Sequence, residues 1–257
     1  MTTNNNIKDR EKRYHDKVFR EGSKARDKTL RYYSITNAST EYYLNRLKDK
    51  IGENKNVLEY GCGAGGDFEL YKSSKSNLHG IDISNEAINL AKNKCDELNL
   101  KSHYVVADAE NTKLKSDYFD AIVGSGIIHH LNIENAMSEL SRLIKSDGEC
   151  IFHEPMGHNP FINLFRILTP HMRTPDEHPI LTSDFVLMKK YFEKVEVRYF
   201  YLLSLSAFIF RNTIFFDRIY KLLVKLDKYI LKNIPGLGKH SWIAVIILSK
   251  PKKNLVF

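Results

Sequence analysis

The sequence predicts a doubly wound α/β fold, and three observations carry the prediction. Short apolar runs recur from residue 56 onward, with stretches of helical length and periodicity between them. The first run, Val57-Leu58, leads into four glycines within six residues, at 61, 63, 65 and 66. The alternation stops near residue 155, where five prolines fall between Pro155 and Pro179. Strands alternating with helices imply a parallel sheet covered on both faces. Right-handed crossovers gather the strand C-termini at one edge, where a ligand must sit.

Taken in order, the first 28 residues are dense in charge and read as a disordered start with a helix from about Lys8. Between Thr29 and Ile51, Leu30, Tyr33, Tyr42, Tyr43 and Leu47 recur at helical spacing. That suits a helix packed on the sheet or over the site. Strands are expected at 56–60, 78–82, 104–107, 119–124 and 149–153, with helices at 66–72, 85–98 and 133–144. Ser84 and Asn132 stand where an N-cap is needed, since their side-chain oxygens accept the first free N–H groups. Proline prevents a long helix over 155–181 but leaves room for a short one at 161–168. A helix at 183–192, a strand at 194–201, an apolar and basic helical region at 202–232 and a last strand at 242–248 follow. The chain thus divides into a helical cover (1–54), a ligand-binding core (55–154), and a lid loop, amphipathic insertion and closing strands of the same domain (155–257).

The formal charge of +8 over 257 residues is a modest excess that demands no acidic partner. Cys62, Cys95 and Cys150 lie far apart with no CxxC pair, the pattern of a reduced, cytoplasmic protein. The start lacks an apolar segment like that of a signal peptide. The longest uncharged apolar run, Tyr199 to Phe210, is shorter than the roughly 20 residues of a membrane span. Within 214–232, Phe215, Ile219, Leu222, Leu223, Leu226 and Ile230 share one helical face, opposite Asp217, Lys221, Lys225, Lys228 and Lys232. Such a helix is expected to cap an apolar pocket; its alternative is peripheral contact with the inner membrane face through 202–232.

Gly61-x-Gly63-x-x-Gly66 formally fits the dinucleotide fingerprint, and a strand–glycine turn–helix unit leaves N–H groups facing a ligand. Glu59 argues against a pyrophosphate there, because a carboxylate at the mouth of the loop would repel it. S-adenosylmethionine has no phosphate and carries a sulfonium and an ammonium, which a carboxylate favours. The glycines by themselves leave both cofactors open.

Further motifs follow in order: Gly80-Ile81-Asp82-Ile83-Ser84, Ala107-Asp108-Ala109-Glu110, Phe119 to Gly124, and Ile127-Ile128-His129-His130-Leu131. With the glycine loop, this series resembles the class I S-adenosylmethionine-dependent methyltransferases, of the type 11 branch that includes the quinone-biosynthesis enzymes. The resemblance covers about residues 50–155 and, loosely, the final strand. It implies a Rossmann-like sheet of seven strands with the last antiparallel, and S-adenosyl-L-methionine as cofactor. The tract from Glu154 to Pro160, with Arg173 to Pro179, resembles bacterial members to which no acceptor attaches.

The cofactor-binding residues expected on this reading are Glu59, Gly61, Cys62 and Gly63 of the loop, with Tyr33 reaching in from the cover. Asp82 ends the second strand, where a carboxylate accepts both ribose hydroxyls, and Ile83 flanks the adenine. Asp108 accepts from the adenine amino group while the Ala109 N–H donates to a ring nitrogen. Ser125, ending the fourth strand, lies beneath the methionine portion. His129, His158 and Glu154 are the candidate bases, since a hydroxyl acceptor must lose its proton as the methyl arrives. Asp176, Glu177 and His178 add carboxylates and an imidazole on the proline-rich loop. No two of these groups show a familiar ligand spacing, so no metal is expected.

The reading is O-methylation of a small or lipid-like acceptor. Its alternatives are N- or C-methylation of a natural product or quinone-type precursor, a NAD-dependent oxidoreductase, and a non-catalytic ligand-binding protein. A nucleic-acid partner is not expected. No Asn/Asp-Pro-Pro-Tyr tetrad follows the fourth strand, and no nucleic-acid module is appended.

Overall fold

The computed structural model describes residues 2–21, 37–170 and 174–253. Helix α1 (Thr2–Arg20) and helix α2 (Asn37–Lys48) precede the sheet. The alternating part is β1 (Asn56–Tyr60), α3 (Phe68–Ser74), β2 (Asn77–Asp82), α4 (Asn85–Glu97), β3 (Ser102–Val106), β4 (Phe119–Ser125), α5 (Ile133–Leu143) and β5 (Ile144–Pro155). Beyond it come α6 (Pro160–Leu168), α7 (Thr182–Tyr191), β6 (Phe192–Phe200), α8 (Phe216–Asn233) and β7 (Ile243–Pro251). Short 3-10 turns span Ile128–His130, Ser204–Phe210 and Pro235–His240.

Seven strands form one sheet in the order β3-β2-β1-β4-β5-β7-β6. The pairs within β3-β2-β1-β4-β5 are parallel, and β7 runs antiparallel to both β5 and β6. Successive side chains of a strand point to opposite faces. Val57 therefore joins one buried cluster with Ala121, Ile151 and Val245, while Leu58 joins the other with Ile122, Cys150 and Ile246. Both faces are apolar because helices cover both, as expected of a parallel sheet.

Ser84 and Asn132 do cap their helices, accepting from Ala87 N and Asn135 N. Two caps went unread. Asp67 caps α3, and Asn159 caps α6 with Pro160 in its first turn, where a missing N–H costs nothing. The short helix expected at 161–168 is present, with Pro160 opening it. Helix α1 also begins at Thr2, well before the expected Lys8, and corrects the expectation of a disordered start. No helix among the described residues is long and apolar enough to cross a membrane.

Candidate active site

The cavity lies over the C-terminal edge of β1, β2, β3 and β4, with a volume of about 1600 Å³. Its floor is the set of loops leaving those strands: Gly61 and Gly63, Asp82 and Ile83, Ala107 to Glu110, and Ser125 to Ile127. Gly63 has φ +53°, and a Cβ there would point across the cavity toward Phe19 of α1, 3.3 Å away. A side chain at that position fills ligand space.

Gly66 has a different reason. A Cβ on it would come within 2.1 Å of Glu59 Oε1. Glu59 is the correction here: it does not line the cavity. Its carboxylate is buried beneath the loop, accepting from Tyr104 OH, from Tyr71 and from the Gly66 N–H. Burial pushes its pKa up to about 7 against those hydrogen bonds. Strand alternation explains the placement, since Glu59 shares the face of Val57 and not the strand's end. Cys62 is likewise off the cavity wall, with its N–H donated to Ile81 O and its side chain packed beside the cluster under the sheet.

The loop amides are committed as well. Gly63 N donates to Asp82 Oδ2 at 2.9 Å, Gly65 N to Cys62 O, and Gly66 N to Glu59. A pyrophosphate cradle needs such N–H groups free. This corrects the expectation of free donors in the loop. Asp82 Oδ1 also accepts from Ser84 N at 2.9 Å, so both carboxylate oxygens face backbone donors while the residue lines the cavity. Asp108 lines it too, and Lys8 Nζ of α1 sits 2.6 Å from its Oδ2.

These residues fit S-adenosylmethionine. A Cβ at Gly63 would stand in the cavity at φ +53°, 3.3 Å from Phe19, and carboxylates stand at the ends of two adjacent strands. Among the described residues, Lys8 and Arg166 are the only lysine and arginine that line the cavity, and neither is on the glycine loop. The donor set therefore suits hydroxyl, amino and sulfonium groups better than phosphates.

Past β4 stands His129, buried, with its Nδ1 2.7 Å from Glu154 Oε2. Glu154 is fully buried and also accepts from Ile127 N and Ile128 N, both at 2.9 Å. Burial opposes its ionisation, but the His129 contact and the two amides outweigh it and hold the carboxyl below its usual range. An ionised Glu154 fixes the proton on His129 Nδ1 and leaves Nε2 as the accepting nitrogen. Glu154 thus stands behind the cavity wall and does not touch what binds there. His158 is a second correction. It leaves the cavity, and its Nε2 accepts from Thr182 N at the start of α7. Tyr33 lies outside the described residues.

The roof comes from three segments. The proline-rich loop contributes Phe161, Phe165 and Arg166 with Asp176 to His178, and the turn after β6 contributes Leu203, Phe208 and Ile209. The third is α1, part of the expected helical cover, which lines the cavity with Lys8, Glu11, Tyr14, His15, Val18 and Phe19, none of them singled out from the sequence. From Glu11 onward these fall three and four residues apart, a signal available in the sequence but masked by its charge. Arg10 clamps Asp176 of the proline-rich loop with two nitrogens, at 2.6 to 2.9 Å. Helix α8 does not line the cavity, which corrects its assignment as a cap. Its Asp227 instead accepts from the amides of Leu202, Leu203 and Ser204 and fixes the turn that does. Glu11 and His130 meet across the cavity wall, with His15 on one side and Glu177 beyond His129 on the other.

Comparison with known proteins places this geometry. Residues 58–152 match the family model described as a methyltransferase domain. An uncharacterised protein of Methanocaldococcus jannaschii is 33% identical over 142 residues, 55% of this chain and 50% of that one. The ubiquinone biosynthesis O-methyltransferase of Pelagibacter ubique is 36% identical over 104 residues, 40% of this chain and 43% of its own. The matches span about half the length of these relatives, or less. Among solved structures, a phosphoethanolamine N-methyltransferase of Haemonchus contortus with S-adenosylhomocysteine aligns at TM-score 0.59 and 19% identity, covering 82% of this chain and 53% of that one. The geranyl diphosphate C-methyltransferase of Streptomyces coelicolor aligns at TM-score 0.58 and 14% identity, covering 84% and 79%. At those identities the structures share the fold.

Proposed function

From the class I S-adenosylmethionine-dependent methyltransferase domain that this chain carries, we propose transfer of a methyl group to a hydroxyl of a small, apolar or lipid-like acceptor. The observation that carries this reading is His129, placed past β4 on the cavity wall with Glu154 fixed behind it. S-adenosylmethionine, when bound, supplies a methyl made electrophilic by its sulfonium. Asp82 and Asp108 would hold its hydroxyl and amino groups, with Gly63 leaving it room. His129 Nε2 takes the proton of the acceptor hydroxyl, and Glu154 stabilises the imidazolium that results. Alignment inside the cavity accounts for most of the rate, which in favourable cases is about 7–11 kcal/mol.

The acceptor class follows from the roof. Phe161 and Ile209 line the cavity yet are 76% and 78% exposed, so its rim is apolar where it meets solvent. An isoprenoid, acyl or polycyclic body fits such a rim, with the hydroxyl near His129. The relatives act on diverse atoms: one is named for an oxygen, one structure for nitrogen, another for carbon. The test is transfer of labelled methyl from S-adenosylmethionine to a panel of polyprenyl phenols, long-chain alcohols and matched amines. Turnover of amines alone, with His129→Ala fully active, overturns the assignment to oxygen.

A further inference from the structure

We propose that Glu11, His15 and His130 form a binding site for one divalent transition-metal ion of the zinc class, opening into the cavity. Glu11 is 6% exposed, and neither of its carboxylate oxygens has a hydrogen bond of normal geometry; the same holds for Nδ1 of His130. The two are nevertheless neighbours, with Glu11 Oε2 3.3 Å from His130 Nδ1 and 3.4 Å from His15 Nε2. One ligand atom from each of the three residues lies within 4.8 Å of the others.

These distances discriminate. A proton shared between imidazole and carboxylate draws nitrogen and oxygen to about 2.7–2.9 Å. Ligand atoms around a tetrahedral ion with bonds of about 2.0–2.1 Å stand roughly 3.3–3.4 Å apart. The two spacings at Glu11 fall in the second range, and the third ligand pair, His15 with His130, lies within 4.8 Å. His129 and Glu154 in the same wall show the other pattern, at 2.7 Å. Two imidazole nitrogens and one carboxylate oxygen make a borderline donor set, which suits Zn²⁺ and then Fe²⁺ or Mn²⁺ better than Mg²⁺ or Ca²⁺.

Glu11 and His15 are one helical turn apart on α1, and His130 comes from the turn after β4, so the ion would also tie the roof to the floor. All three residues line the cavity, so a fourth ligand position faces the acceptor's space. Three protein ligands with one open position are the arrangement of a site that takes an oxygen from water or substrate. The site stands without the methyl-transfer reading, because its test needs no turnover.

Tag-free full-length chain, stripped with a chelator, is titrated calorimetrically with Zn²⁺ and separately with Mn²⁺. The expected result is one tight equivalent of Zn²⁺ and a higher melting temperature in its presence. Glu11→Gln and His15→Ala should each weaken that equivalent roughly 100-fold or more, since even outer-shell partners cost 10–100-fold. S-adenosylhomocysteine binding should persist in both variants. Zinc anomalous scattering from crystals of the loaded chain should place the ion between these three side chains. Should a variant misfold, the unmodified chain still decides: no stoichiometric ion, or an anomalous peak elsewhere, overturns the proposal. Unchanged affinity in folded variants, leaving an imidazolium–carboxylate pair at Glu11, overturns it equally.

Discussion

Two regions enclose the same cavity and are built by different means. The floor uses the backbone: tight turns at strand ends, a glycine cradle, and carboxylates whose partners are amides one or two loops away, as with Asp82 and Gly63. The roof uses side chains that reach across a hundred residues of sequence or more, such as Arg10 to Asp176 or Lys8 to Asp108 on the floor. Backbone-built sites tolerate little change, because moving one amide moves its neighbours. Side-chain-built ones can lose a contact and keep their form. Substitutions on the floor should therefore act abruptly and those on the roof by degrees.

Gly63→Val is the sharpest break. It puts a branched side chain at φ +53° into the cavity, and S-adenosylhomocysteine affinity should fall on the order of 100-fold or beyond, about 2.8 kcal/mol. Calorimetry with a folded variant checks this. Undiminished binding would mean that the cradle does not face the ligand.

His129→Ala should lower the maximal rate about 10²–10⁴-fold with a hydroxyl acceptor while leaving S-adenosylhomocysteine affinity unchanged. A matched loss in cofactor affinity would move His129 from chemistry to structure.

Asp82→Ala removes an acceptor shared by the loop amides and the cofactor. The expected loss is roughly 1.5–3 kcal/mol, about ten- to 150-fold in affinity. Full affinity in the variant takes Asp82 out of the site.

How much of this was legible is itself a floor-and-roof matter. The strand–helix alternation, the N-caps at Ser84 and Asn132, and the position of Asp82, Asp108, Ser125 and His129 at or past strand ends follow from local periodicity. Glu59 and His158 did not, because sequence distance from a strand end does not say which way a side chain turns. Glu59 obeys the strand's alternation and goes under the loop. His158 follows a chain that pairs with the segment before α7, with Gly157 N on Ile180 O. The role of α1 was hidden because the residues that contact the core are embedded in charge. Asp227 was missed because the amides it accepts from belong to a turn more than twenty residues earlier in the chain.

Glu59 gives a smaller effect, with its sign fixed by its environment. Its folded pKa is raised from 4.5 to about 7. Below 4.5 both folded and unfolded chains hold the proton. Between 4.5 and about 7 only the folded chain does, so stability attributable to Glu59 falls as pH rises through that window. Glu59→Gln keeps the acceptor and removes the titration. The difference in stability between variant and parent, measured by denaturant unfolding from pH 4 to 8, should grow in the variant's favour by about 1–3 kcal/mol. A flat difference would place an ionised carboxylate under the loop throughout.

Arg10→Ala should do least. Arg10 is about half exposed, and an exposed ion pair is worth about 0–1 kcal/mol. Global stability should barely move, while hydrogen exchange in α1 and in 174–181 should quicken. A drop beyond about 2 kcal/mol would mean that the roof is as backbone-determined as the floor.

The central claim is that the floor is built for S-adenosylmethionine, and calorimetric titration of the full chain with S-adenosylhomocysteine tests it most directly. The predicted result is one site with a micromolar dissociation constant and a matching rise in melting temperature, with NAD giving neither. Folded protein that shows no heat with S-adenosylhomocysteine, or that binds NAD instead, would contradict it.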